Sequence, residues 1–134
     1  MQRTLKNEKY YRKLFLVAAL YDFILGCVFF IALPFLFENI FKIPAPNYPA
    51  FFQAAAAFII IMGIGFYFVY LNLYRNIDIV RLGIILKLVY TALAFYYVFI
   101  ENMPWIFSIF GFLDLIFIVF FVFFLRAVKR ETQA

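Results

Sequence analysis

Four apolar runs, each of about 20 residues, follow one another along this chain with only short polar or proline-rich connections between them. A helix rising ~1.5 Å per residue crosses a hydrocarbon core of ~30 Å in that length. Hydrocarbon offers no water to an unpaired backbone N–H or C=O, so a spanning segment must satisfy its own backbone, which a helix does and an open strand does not. The expected fold is therefore all-α and integral to a membrane: a four-transmembrane-helix antiparallel bundle forming one domain over 1–134, with spans at about 14–37, 50–71, 79–100 and 105–125. Composition excludes the soluble alternative. With 69% hydrophobic and 14% charged residues and a mean hydropathy of +1.01, the chain would aggregate in water.

The connections carry the breaks that the spans need. Pro34 falls near the end of the first run, and Pro44, Pro46 and Pro49 make the segment from Glu38 to Pro49 irregular in part. Asn72 to Asp78 forms a polar turn, with Asp78 in position to cap the third span. Glu101-Asn102-Met103-Pro104 is a tight turn leading to Trp105, a side chain suited to the membrane interface.

Lys and Arg set the orientation, because cytoplasmic flanks carry the excess. With the N-terminus inside, the cytosolic segments hold Arg3, Lys6, Lys9, Arg12 and Lys13 in the head, Arg75 and Arg81 in the second connection, and Arg126, Lys129 and Arg130 in the tail. The outer loops hold only Lys42, so the expectation is N-in and C-in in the inner (plasma) membrane. Basic residues placed in these short flanks are topology signals and give no reason to expect nucleic acid. Arg75 and Arg81 are candidates for contact with lipid phosphate, although their position at a cytosolic helix end explains them nearly as well.

Much chemistry is excluded. The chain has no histidine, which removes His-ligated zinc, bis-His haem and His-based acid–base catalysis. Cys27 is the only cysteine, so there is no intrachain disulfide, CxxC pair or cysteine-rich metal site. It ends a loose lipoprotein-like string, Ile24-Leu25-Gly26-Cys27, but Asp22 interrupts the apolar region and hydrophobicity continues past it, so a small buried helix residue is expected. No nucleophile and base stand at a catalytic spacing, and neither catalytic residues nor a cofactor or metal are expected.

Three ionisable residues fall inside spans: Asp22 in the first, Lys87 in the third and Asp114 in the fourth. Each costs roughly 2.5 to 3.5 kcal/mol at a helix centre on insertion scales, which demands an explanation. Counted from the cytosolic edge, Asp22 and Lys87 lie about 12 Å deep and Asp114 about 16 Å deep, so the three share one layer. Turned inward, two acids and one lysine neutralise each other in part and leave one formal negative charge. Helical spacing extends the inward stripes to Ala19 and Gly26 in the first span, Ala56, Gly63 and Tyr67 in the second, Gly83 and Tyr90 in the third, and Ser108 and Gly111 in the fourth. Small residues let membrane helices approach, while polar ones bond across them. The layer is then an ion-pair network that holds helices together, the floor of a pocket or pathway, or both at once.

The run Tyr21-Asp22 with Gly26, the late proline of span one, Ile43-Pro44-Ala45-Pro46, Gly63-Ile64-Gly65, Arg75-Asn76 and the Gly83 to Lys87 spacing together resemble small bacterial four-helix membrane proteins of the broad DoxX-like group. The resemblance covers nearly the whole chain and implies the fold more than an activity. Some members of that group are associated with quinone-linked redox complexes, so a redox role would have to come from a partner or a bound quinone. From the residues, three readings stand. The preferred one is a bundle binding a lipid-like or quinone-like molecule, with Tyr67 and Tyr90 in apolar contact and Asp22, Lys87 or Asp114 fixing its head. A small oligomeric proton- or cation-coupled transporter or channel is the second, disfavoured because Lys87 would oppose cations. A structural subunit of a membrane complex is the third. The partners expected are membrane lipids, a hydrophobic small molecule, and a second copy or a membrane partner subunit.

Overall fold

The computed structural model describes residues 5–133, so Arg3 of the basic head lies outside the described residues. It contains helices α1 (Glu8–Ile31), α2 (Leu33–Phe35), a π-helical turn (Leu36–Ile40), α3 (Pro49–Leu71), α4 (Ile77–Phe99) and α5 (Ile106–Gln133), with no strand among the described residues. Helices α1, α3, α4 and the Ile106–Glu131 part of α5 are long and apolar enough to cross a membrane. The chain is an all-α, multi-pass membrane bundle.

The first span differs most from its expected limits. It begins at Glu8, because Lys9, Arg12 and Lys13 of the basic head are themselves helical, and it ends at Ile31 rather than at residue 37. Pro34 is the cause: it has no N–H to return to the carbonyl of Phe30, four residues earlier. Gln53 of α3 supplies the missing donor, its Nε2 reaching the Phe30 oxygen at 3.3 Å. Beyond the break the chain makes the short α2 and widens into the π turn, then passes through Lys42 at a positive φ of 60°. The third span starts at Ile77 with Asn76 as its N-cap and no side-chain capping bond, so Asp78 is not the cap. Asp78 pairs instead with Arg81 at 2.6 Å, one helical turn along the same surface. The turn before it is built by Asn72, whose Oδ1 accepts from the N–H groups of Tyr74 and Arg75. The fourth span runs on through the basic tail as continuous helix.

Burial recurs at alternating steps of four and three residues. In α1 and just beyond it, the buried set contains Phe15, Ala19, Asp22, Gly26, Phe29 and Leu33. In α3 and its C-terminal turn it contains Met62, Phe66, Val69 and Leu73. That is the heptad spacing of left-handed helix packing, in which the seam repeats every ~3.5 residues instead of every ~3.6. The difference moves Tyr67, which a straight-helix stripe includes, off the seam and puts Phe66 in its place.

Helices α1 and α3 pack closely as a pair, α4 and α5 form a second pair, and the two pairs approach each other less closely. Glycines explain the first pairing. A Cβ on Gly63 would lie 2.7 Å from the Phe23 nitrogen and 2.9 Å from the Ala19 oxygen, and one on Gly26 would lie 2.9 Å from the Ala56 oxygen. The backbones of α1 and α3 therefore touch where no side chain intervenes.

Phenylalanines join the pairs at one end. Phe15, Phe66, Phe121 and Phe124 are completely buried, with Phe15 5.1 Å from Phe121 and 4.9 Å from Phe124 between ring centres. Leu5, Leu73 and Val128 belong to the same cluster, so the start of α1, the α3–α4 connection and the end of α5 lie together. Hydrogen bonds latch this end. The Leu5 N–H donates to the Tyr74 hydroxyl (2.9 Å), which donates to Glu8 (3.1 Å), and Arg12 donates to the Tyr70 carbonyl (2.8 Å) while paired with Glu8. At the opposite end a second cluster gathers Phe29, Leu33, Phe37 and Phe41 with Ala56, backed by Phe107 and Phe110.

The close backbone contact predicts that Gly63→Val forces α1 and α3 apart at a cost of about 1–3 kcal/mol, seen as a lower unfolding temperature in detergent. Gly65→Ala is the control, because its added methyl meets only the Ile79 side chain, at 3.1 Å, and should cost little.

Candidate functional site

Lys87 enters the bundle from the buried seam of α4, between Val80, Gly83 and Thr91. Its Nζ donates to Asp22 Oδ1 of α1 at 3.2 Å and to Asp114 Oδ1 of α5 at 2.9 Å. The side chains of Lys87, Asp22 and Asp114 are only 4%, 6% and 14% exposed, so water screens these pairs little and Asp114 is the most accessible of the three. The ammonium also faces the rings of Phe117, Tyr21 and Phe66, at 5.0, 5.6 and 5.7 Å from their centres. Two carboxylates and three aromatic rings thus replace its hydration. Tyr21 adds a buried hydroxyl with no hydrogen-bond partner.

Beyond the ion layer, toward the end opposite the termini, the bundle holds a partly open cavity of about 280 Å³. Its walls run from Tyr21 to Phe29 on α1, from Leu86 to Tyr97 on α4, and from Asp114 back to Phe107 on α5. The eleven steps from Leu86 to Tyr97 make it about 16 Å long, so it is narrow for its volume. Helix α3 contributes Phe52, Ala55, Ala56 and Ile59, all without charge. The triad is the charged end of a passage otherwise walled by apolar and tyrosine side chains. Leu93 and Tyr97 line it while 48% and 46% exposed, which puts an opening on the side of the bundle at α4.

Asp22, Lys87 and Asp114 are thus brought together, and Tyr90 lines the same cavity, its hydroxyl 3.5 Å from the Ala55 carbonyl across the gap between α3 and α4. Tyr67 is not among the lining residues. It is 45% exposed and stacks on Tyr70 at 5.8 Å, which takes it out of the candidate site because the α3 seam passes through Phe66. Arg75 and Arg81 sit on the exposed surface beside the α3–α4 connection, Arg81 with Asp78 as its partner. Cys27 is half-buried rather than buried, one step off the α1 seam at Gly26.

Sequence reasoning missed the aromatic wall formed by Tyr21, Phe29, Phe52, Phe107 and Phe110. Among 22 phenylalanines and 10 tyrosines, residue type alone does not separate a wall from a lipid-facing surface. For Tyr21, Phe29 and Phe110 the usable signal was their place on or beside a heptad seam. No family model, curated protein or solved structure matches the chain.

The triad generates a stability prediction that separates breaking an ion network from replacing it. Lys87→Met strands two buried carboxylates and should cost about 3 kcal/mol. Adding Asp22→Asn and Asp114→Asn to it should recover much of the loss in thermal unfolding, because no uncompensated charge is left.

Proposed function

We propose that the bundle binds a single hydrophobic molecule with a compact polar head, lipid-like or quinone-like, in a membrane-embedded pocket. The observation that carries this reading is the apolar cavity that ends on Asp22, Lys87 and Asp114. A network serving only to tie helices together has no need of an open, aromatic-walled volume beside it, and ligand sites are typically apolar pockets with a few converging polar groups. The volume of about 280 Å³ and its narrow shape favour one ring or one chain over a two-tailed lipid. The side opening at Leu93 and Tyr97 favours entry from the hydrocarbon instead of from water.

The membrane setting belongs to the same proposal: the inner (plasma) membrane, with both termini in the cytosol where the basic head, connection and tail would lie. Arg75 and Arg81 then lie beside the inner leaflet, within reach of lipid phosphate. A relationship to the DoxX-like group rests on the sequence resemblance alone.

Gentle purification followed by native mass spectrometry tests the binding reading. The expected outcome is a small apolar molecule retained by the protein, and lost when Ala94→Phe puts a ring into the cavity. Protein that is empty from every mild detergent would remove the proposal.

A further inference from the structure

Resting on the binding proposal above, we infer that the head taken by this cavity is a hydrogen-bond donor, a protonated amine or a hydroxyl (within the quinone-like class, the quinol and not the quinone), and that carboxylate and phosphate heads are refused.

The sequence alone presents Lys87 as the natural partner for an anionic head and as a barrier to cations. Its surroundings reverse that reading. Two directions of its ammonium are taken by Asp22 Oδ1 and Asp114 Oδ1. Its remaining side is closed off by the rings of Phe117, Tyr21 and Phe66. With 4% of the side chain exposed and two of its three N–H groups bonded to the acids, Lys87 has at most one N–H left for a ligand.

The acids are in the opposite state. Each binds Lys87 through Oδ1 only, and Oδ2 of both Asp22 and Asp114 carries no hydrogen bond in the structure. A carboxylate oxygen can take more than one donor, so the floor holds several spare acceptor sites against at most one ammonium N–H. Two carboxylates against one ammonium also leave the floor one formal negative charge, and no lining residue of α3 offsets it. An anionic head would enter a poorly screened site against that charge, where the one cation is already paired with two acids. A cationic head balances the charge and makes charge-assisted bonds, and a neutral hydroxyl makes the same bonds without the charge gain. Asp114, the more exposed of the two acids, is the first contact. The hydroxyls of Tyr21 and Tyr90 can donate or accept, so they accommodate such a head without selecting it. The apolar body of the ligand lies among Phe29, Phe52, Phe107 and Phe110.

A matched probe series tests this on the full chain in phosphatidylcholine nanodiscs: 4-butylbenzylamine, 4-butylphenol, butylbenzene and 4-butylbenzoate, which share a body and differ in the head. Binding is measured by equilibrium dialysis near neutral pH against empty nanodiscs of the same lipid, which subtracts partitioning. The expected order of affinity is amine, phenol, butylbenzene, benzoate, with the amine favoured over the benzoate by about tenfold or more. Asp114→Asn should weaken the amine several-fold and leave butylbenzene nearly unchanged. Benzoate binding as well as or better than the amine overturns the inference about the head and leaves the pocket standing. Amine preference that persists undiminished in Asp114→Asn overturns its assignment to this floor. If none of the four exceeds empty nanodiscs, the pocket reading itself fails and takes this inference with it. The order in the unmodified protein decides the head class even where the variant does not fold.

Discussion

An ammonium ion held away from water has to be solvated by the protein, and in this bundle that requirement falls on Lys87. Its partners come from α1 and α5, so the α4 side chain fixes the height of three helices relative to one another. A shift of one residue along any of them moves an acid ~1.5 Å along the axis and ~100° around it, out of reach of the lysine. The ion layer therefore sets the register of the bundle, whatever its net contribution to stability. Buried ion pairs often do little better than apolar packing of the same size, but a misaligned partner leaves an uncompensated buried charge, which is strongly destabilising.

Helix α3 is absent from that triad and is held by other means. It lies against α1 through Gly26 and Gly63, where backbones meet, and it reaches back through Gln53 to the carbonyl that Pro34 leaves without a donor. Its Phe66 fills a notch at Gly83 of α4, where an added Cβ would lie 2.5 Å from the ring. Small residues thus act in two ways. Where two helices touch directly they permit the approach, and where the two helix pairs stand apart they leave volume. Ala55, Ala56, Ala94 and Gly111 all line the cavity, while on the other side of the ion layer Phe15, Phe66, Phe121 and Phe124 meet and leave no exposed surface. The cavity follows from that division along the axis, with the ion layer at the boundary. It also places a negatively biased floor beneath an apolar shaft, which is why the chemistry of the site is best described by what the acids can accept.

Much of this was legible in the chain. Apolar runs of spanning length require helices, because hydrocarbon leaves backbone groups no other way to be satisfied. Three ionisable residues at similar depth must face inward and meet, because facing lipid would cost more than pairing. Those conclusions depend on the solvent and on distance along a helix, and both can be read from a sequence. Pro34 was visible too, but its effect was not. The helix stops at Ile31 and recovers through a π turn, and the carbonyl left without a donor is taken by Gln53, a residue on another helix.

Tertiary structure decided the rest because it depends on rotation about helix axes and on which helices pair. A seam repeating every ~3.5 residues departs from a straight-helix stripe within a few turns, which is enough to exchange Tyr67 for Phe66. The pairing of α1 with α3 and of α4 with α5 determines where side chains fill space and where they leave it, and no local pattern among so many phenylalanines encodes that. The choice of partners for the Lys87 ammonium is of the same kind. The sequence by itself determined that a lysine and two aspartates would share a layer inside a four-helix membrane bundle. Only the packed structure decided that the lysine is spent on its neighbours and that the acids face the cavity, because the direction of a side chain is set by the helices around it.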